Sequence, residues 1–128
     1  MADRKALVVD DEFHIVQVVA IKLKNNGFEV LTADNGAAAY TLAVQHKPDI
    51  IVTDYQMPGL TGLELIEKLR ADEQTAAIPV IMLTARGFAI EDQQKQALQI
   101  AACLSKPFSP REVLQTVEEV LKQTVHVS

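Results

Sequence analysis

The sequence predicts an α/β fold: a single three-layer (βα)5 doubly wound parallel sheet with strand order 2-1-3-4-5. Three observations carry the prediction. Five short apolar runs alternate with five helically spaced patterns across almost all of the 128 residues. Runs such as Ile50-Ile51-Val52-Thr53 are apolar and β-branched throughout, as strands covered on both faces are. Four of the runs end on residues suited to phosphate or metal: Asp10 and Asp11, Asp54, Thr84, and Lys106. In an open parallel sheet these carboxyl ends share one edge, and ligands bind where the strand order reverses. Of the two common strand orders, 2-1-3-4-5 sets strands 1 and 3 side by side at that point, so that Asp10, Asp11 and Asp54 meet.

The elements follow in order. Lys5 to Val9 reads as a strand, and about Phe13 to Asn26 as a helix with Val16, Val19, Ala20 and Leu23 on one face and Asn26-Gly27 as its stop. Phe28 to Thr32 is the second strand. Asp34-Asn35 offers an N-cap for a helix over Ala37 to Gln45, which ends before Pro48 because the residue preceding proline avoids α geometry. Asp49 to Thr53 is the third strand, and Gly62 to Arg70 the third helix, with Leu63, Ile66 and Leu69 at helical spacing. Ile78 to Leu83 is the fourth strand and Ala101 to Ser105 the fifth. Between them Phe88 to Gln99 is mostly polar and is expected to be the least firmly held helix. The last helix, capped by Ser109 and running from Pro110 to about Lys122, carries Val113, Leu114, Val117, Val120 and Leu121 on one stripe. Residues 1–128 thus read as one domain, with 123–128 as a frayed tail.

Composition narrows the function. The one cysteine, Cys103, cannot pair internally, and neither a secretory signal nor an apolar run long enough to span a bilayer is present. A cytoplasmic protein without membrane insertion is expected. The net charge of −5, with no basic cluster, argues against direct nucleic-acid binding.

The chemistry lies in the acidic cluster. Three carboxylates within about 4 Å repel by roughly 4 kcal/mol per pair at an effective dielectric near 20, more than one lysine offsets. A cation must bind there. Few, rigid, all-oxygen ligands suit Mg²⁺ (or Mn²⁺), which takes one or two carboxylates together with phosphate oxygen. With Lys106 as a point charge and the Thr84 hydroxyl as a donor, Asp54 is the candidate nucleophile for a phosphoryl group.

Asp10-Asp11, Asp54 followed by Met57-Pro58 and Gly62, Thr84-Ala85, and Lys106-Pro107-Phe108 together resemble the signature of response-regulator receiver domains, of the chemotaxis-regulator kind. The resemblance spans nearly the whole chain and implies a flavodoxin-like fold. It implies that Asp54 accepts phosphate from a sensor histidine kinase or phosphotransfer protein, that Asp11, Asp54 and the Gln56 carbonyl hold the metal with Asp10 assisting through water, and that Lys106 and Thr84 bind the phosphoryl group. It further implies a cis Lys106-Pro107 peptide, tuning of the phosphoryl lifetime by Gln56 and Arg86, and output through a protein-binding surface of helix 4, strand 5 and helix 5. That surface would leave the chain a monomer or weak dimer, with an unidentified downstream protein. Such a domain catalyses its own phosphorylation and dephosphorylation only and is otherwise no enzyme.

Two positions depart from the pattern. Cys103 stands at the switch position, where the family has an aromatic residue that rotates as the threonine moves inward. Gln99 stands where glycine commonly turns helix 4 into strand 5, so that turn must be built differently or under strain. Cys103 itself reads as a small buried apolar residue rather than a reactive thiol, and Phe88 as packing of helix 4. His14, His46 and His126 lack ligand spacing and read as surface residues.

Other functions fit less well. An aspartate-nucleophile phosphatase usually carries a second acid two residues after its nucleophile, where this chain has Gln56. A nucleotide or flavin binder needs a phosphate-cradling first loop, but Asp10-Asp11-Glu12-Phe13-His14 is acidic and contains no glycine. A structural pseudo-receiver conflicts with the intact set of five polar residues.

Overall fold

A computed structural model describes residues 4–57, 59–85 and 91–126. Five strands, β1 (Arg4–Val9), β2 (Phe28–Ala33), β3 (Ile50–Asp54), β4 (Val80–Thr84) and β5 (Ile100–Ser105), form one parallel sheet in the order β2-β1-β3-β4-β5. Between and after them run α1 (Phe13–Lys24), α2 (Gly36–His46), α3 (Gly62–Ala71), α4 (Asp92–Leu98) and α5 (Pro110–His126). This is the expected doubly wound topology, with β1 and β3 adjacent at the point where the order reverses.

Strand alternation divides the core in two. Ala6, Val8, Ile50, Val52, Ile81 and Leu83 face α1 and α5, meeting Val16, Val19, Leu23, Val113, Val117 and Val120. Leu7, Val9, Ile51, Val80 and Met82 face α2 and α3, meeting Ala39, Ala43, Leu65, Ile66 and Leu69. Every residue of β3 and β4 is buried. On α3 the buried stripe is Leu65, Ile66 and Leu69, with Leu63 only partly covered.

The caps explain the helix boundaries. The Asn35 side chain accepts from the Ala38 amide at 2.8 Å and starts α2. Thr61 and Glu64 form a capping box at α3, and Ser109 and Glu112 exchange the same pair of bonds at the start of α5. Helix α5 continues to His126, past the expected end near Lys122. Helix α4 begins at Asp92 and buries no residue, in keeping with its polar sequence. Phe88, expected to pack this helix, lies outside the described residues.

The turn from α4 into β5 is built under strain, as the missing glycine predicts. Gln99 adopts φ 54°, the left-handed region that costs an L-residue about 1–2 kcal/mol. A bulge follows, in which the β4 partner jumps from Ile100 to Ala102 and leaves Ala101 unpaired. Arg70, at the end of α3, holds this corner. Its guanidinium donates to the carbonyls of Leu98 (2.8 Å), Gln99 (3.2 Å), Ala76 (3.0 Å) and Ile78 (2.8 Å), tying α3, the loop before β4 and the α4 terminus together. Burial lowers its pKa from the ordinary arginine value.

Candidate phosphoryl and metal site

The sheet ladder continues one residue past the strand ends and fixes the site backbone. The Asp10 amide donates to Ala33 (3.2 Å), the Tyr55 amide to Leu83 (2.8 Å) and the Lys106 amide to Thr84 (2.8 Å). The start of α3 is pressed against the same edge. The Gly62 amide donates to the Tyr55 carbonyl at 2.7 Å, and a Cβ at Gly62 would lie 2.6 Å from the Asp54 carbonyl oxygen and 2.8 Å from Met82 Sδ. Glycine is required there because the helix backbone must approach the strand that ends in Asp54 closely.

The three acids converge as the strand order predicts. One carboxylate oxygen from each of Asp10, Asp11 and Asp54 lies within 4.8 Å of the others. Asp10 and Asp54 are buried, Asp11 exposed. Asp10 Oδ1 accepts from the Glu12 amide at 3.0 Å, whereas among the described residues buried Asp10 Oδ2 accepts no hydrogen bond and has only the Lys106 ammonium, 3.5 Å away, as an ion-pair partner. Burial, then the neighbouring Asp54 charge, push the Asp10 carboxyl up to about 6, against the opposing hydrogen bond from Glu12. Burial likewise raises Asp54, with Lys106 opposing. An under-coordinated buried oxygen beside two further carboxylates is a donor set for a hard divalent cation, so the residues fit Mg²⁺ or Mn²⁺.

Lys106 reaches this cluster from the start of the β5–α5 loop, and its peptide bond to Pro107 is cis, as the resemblance implies. Its Nζ lies 3.1 Å from Glu12 Oε1, 3.3 Å from Asp54 Oδ1 and 3.5 Å from Asp10 Oδ2. Burial works against the ammonium, but Glu12, Asp10 and Asp54 outweigh it and hold its pKa above the usual lysine value.

The remaining expected residues are placed less uniformly. Gln56 and Ala85 line the same cleft as Asp11, Glu12, Asp54 and Lys106. Thr84 is buried, and its hydroxyl donates to the Leu104 carbonyl at 3.4 Å. Cys103 is half-buried at the margin of the α2/α3 core, where burial raises its pKa, which disfavours a thiolate. Arg86 and Pro58 lie outside the described residues. His14 and His46 are exposed. Glu12 makes the shortest contact to Lys106 yet was not among the expected site residues. The signal was the third consecutive acid in Asp10-Asp11-Glu12.

With this geometry in hand, the family model described as "Response regulator receiver domain" matches residues 6–118. The chain belongs to the response-regulator receiver family. It is 42% identical over 126 residues to the phosphate regulon transcriptional regulatory protein PhoB of Pseudomonas aeruginosa, covering 97% of this chain and 54% of that protein. It is 38% identical over 122 residues to the alkaline phosphatase synthesis transcriptional regulatory protein PhoP of Bacillus subtilis, covering 95% and 50%. The chain therefore spans about half the length of these curated relatives. Among solved structures, the chemotaxis response regulator CheY4 of Vibrio cholerae superposes with a TM-score of 0.84 at 35% identity, covering 91% of this chain and 98% of that one. The Francisella response regulator 1452 receiver domain gives 0.84 at 33% identity, covering 95% and 99%. The fold is the flavodoxin-like arrangement of these regulators, and receiver domains are in general signalling modules rather than catalysts. Among the described residues no helix is long and apolar enough to cross a membrane.

Proposed function

We propose that this receiver domain accepts a phosphoryl group on Asp54 from a phosphohistidine of a sensor kinase or phosphotransfer protein. The observation that carries the reading is the buried Asp54 carboxylate, paired with Lys106 at 3.3 Å and flanked by Asp10 and Asp11 within ligand distance of one another. An Asp54 oxygen forms the new O–P bond as the donor N–P bond breaks, and the departing imidazole nitrogen keeps the electron pair and takes up a proton. Lys106 neutralises charge on the transferring phosphoryl oxygens. Asp11, Asp54 and the Gln56 carbonyl would hold Mg²⁺, with Asp10 assisting through water, and the bound ion would offset the carboxylate repulsion and the phosphoryl charge. The Thr84 hydroxyl exchanges its Leu104 carbonyl acceptor for a phosphoryl oxygen, which couples the site to β5. Gln56 and Arg86, two residues beyond Asp54 and Thr84, tune the lifetime of the acyl phosphate.

The new state favours a different surface of α4, β5 and α5 by population shift. The poorly buried α4 and the strained corner at Gln99 support that placement. The relatives are named transcriptional regulators, which favours a transcriptional output as the second part of the reading. With a net charge of −5 and no basic cluster in its sequence, this segment would reach such an output through another segment or partner.

The test incubates the protein with acetyl phosphate and Mg²⁺ and follows intact mass. The expected result is a labile gain of one phosphoryl group that requires Mg²⁺ and is absent in Asp54→Asn. An adduct that persists in Asp54→Asn, or none in the wild type, overturns the reading.

A further inference from the structure

The contacts of Lys106 raise a problem of numbers. An ammonium has three N–H donors, and here three carboxylates face it, Glu12 at 3.1 Å, Asp54 at 3.3 Å and Asp10 at 3.5 Å. A phosphoryl group arriving on Asp54 brings new oxygens to the same ammonium, so one present partner has to give way. Asp10 is fully buried and its other oxygen is fixed by the Glu12 amide, so releasing it would strand a desolvated charge. Asp54 carries the phosphoryl group itself. Glu12 is about half exposed, with a side-chain exposure of 48%, and makes no cap bond to its own helix. It can return to water at little cost. Its second oxygen lies 4.0 Å from exposed His14, a contact too loose to hold it.

We infer that Glu12 is a positioning residue that parks Lys106 in the unphosphorylated protein and competes with the incoming phosphoryl group for that ammonium. This rests on the phosphoacceptor reading above and adds a role that the five expected residues do not supply. Glu12 also adds negative charge at the mouth of the cation cluster. Removing that charge therefore acts in opposite directions on two ligands: it weakens Mg²⁺ binding and strengthens capture of a phosphoryl group.

The test uses Mg²⁺ alone and then beryllofluoride at saturating Mg²⁺, each titrated against amide NMR shifts, in wild type, Glu12→Gln and Glu12→Asp. Glu12→Gln is expected to lower the beryllofluoride midpoint by roughly two- to fivefold, the size of a half-exposed ion pair, and to raise the Mg²⁺ midpoint. Glu12→Asp keeps the charge but withdraws it from Lys106. It is expected to follow Glu12→Gln with beryllofluoride and the wild type with Mg²⁺. A Glu12→Asp variant that binds beryllofluoride like the wild type would show that the general field acts rather than the contact, and would overturn the inference. So would a Glu12→Gln midpoint that is unchanged or raised. A wild type that gives no Mg²⁺-dependent beryllofluoride response overturns the phosphoacceptor reading, and the role of Glu12 with it.

Discussion

The ends of β3 and β4 and the corner between α4 and β5 lie in one sheet but are held in different ways. Every residue of β3 and β4 is buried, the ladder extends past β3 through the Tyr55 amide, and Gly62 lets α3 press directly on Asp54. The corner has a seven-residue helix with no buried residue, a left-handed glutamine, a bulge and one arginine tying it to α3. Apolar burial over-determines the first region, whereas a few polar contacts decide the second. The proposed function uses both: a phosphoacceptor whose geometry must not drift, and an output surface with two arrangements close in free energy.

Four perturbations sharpen or break that contrast. The largest effect is expected at the rigid end. Gly62→Ala forces a Cβ against the Asp54 carbonyl and should cost about 3 kcal/mol, read as a lower urea midpoint, with a weaker Mg²⁺ response. If the alanine is tolerated without loss, the close approach is not what fixes Asp54. Next, Arg70→Met leaves four carbonyls without their charged donor and should cost about 2 kcal/mol, with hydrogen exchange accelerated at residues 98–101 and not in β1 or β3. Uniform acceleration across the sheet would erase the distinction between the regions.

The third effect is electrostatic. The folded Asp10 carboxyl titrates near 6, above its ordinary 3.8, so the folded state binds this proton more tightly than the unfolded chain does. Stability from this group is therefore present at low pH and lost as pH rises from about 4 through about 6. Without divalent cations, acidification from about pH 7 to about pH 5 should stabilise the protein by about 1 kcal/mol in thermal or urea melts. Saturating Mg²⁺ should flatten that gain by holding the carboxylates ionised, and Asp10→Asn should reduce it, the raised Asp54 carboxyl keeping a remainder. A melt that loses stability over the same interval without cations would contradict the assigned burial. The smallest effect is expected at the corner, where Gln99→Gly relieves the left-handed residue and should stabilise by about 0.5–1 kcal/mol after the added freedom of the unfolded chain is counted. No gain would mean that Arg70 already offsets the strain.

The pattern of misses follows the same division. The strands, the sheet order and the meeting of Asp10, Asp11 and Asp54 were legible because apolar periodicity and topological rules act over whole segments. The strain at Gln99 was legible too, because a single residue type decides it. What escaped depends on partners distant in sequence or on orientation. Glu12 carries no signal beyond being a third consecutive acid, and its contact to Lys106 spans 94 residues. Arg70 bonds to backbone carbonyls, which carry no sequence signature. The bulge at Ala101 is a matter of register, and the end of α5 at His126 is a helix boundary, which periodicity defines only to within a few residues. That the Thr84 hydroxyl rests on the Leu104 carbonyl is a rotamer, which no pattern encodes.

The central claim is that Asp54, and neither of its acidic neighbours, takes the phosphoryl group. Borohydride reduction of the acyl phosphate formed with acetyl phosphate and Mg²⁺, followed by peptide sequencing in a mass spectrometer, tests it directly. The expected product is homoserine at position 54 only, and none when Mg²⁺ is omitted. Homoserine at position 10 or 11, or an unreduced chain after full phosphorylation, would contradict it.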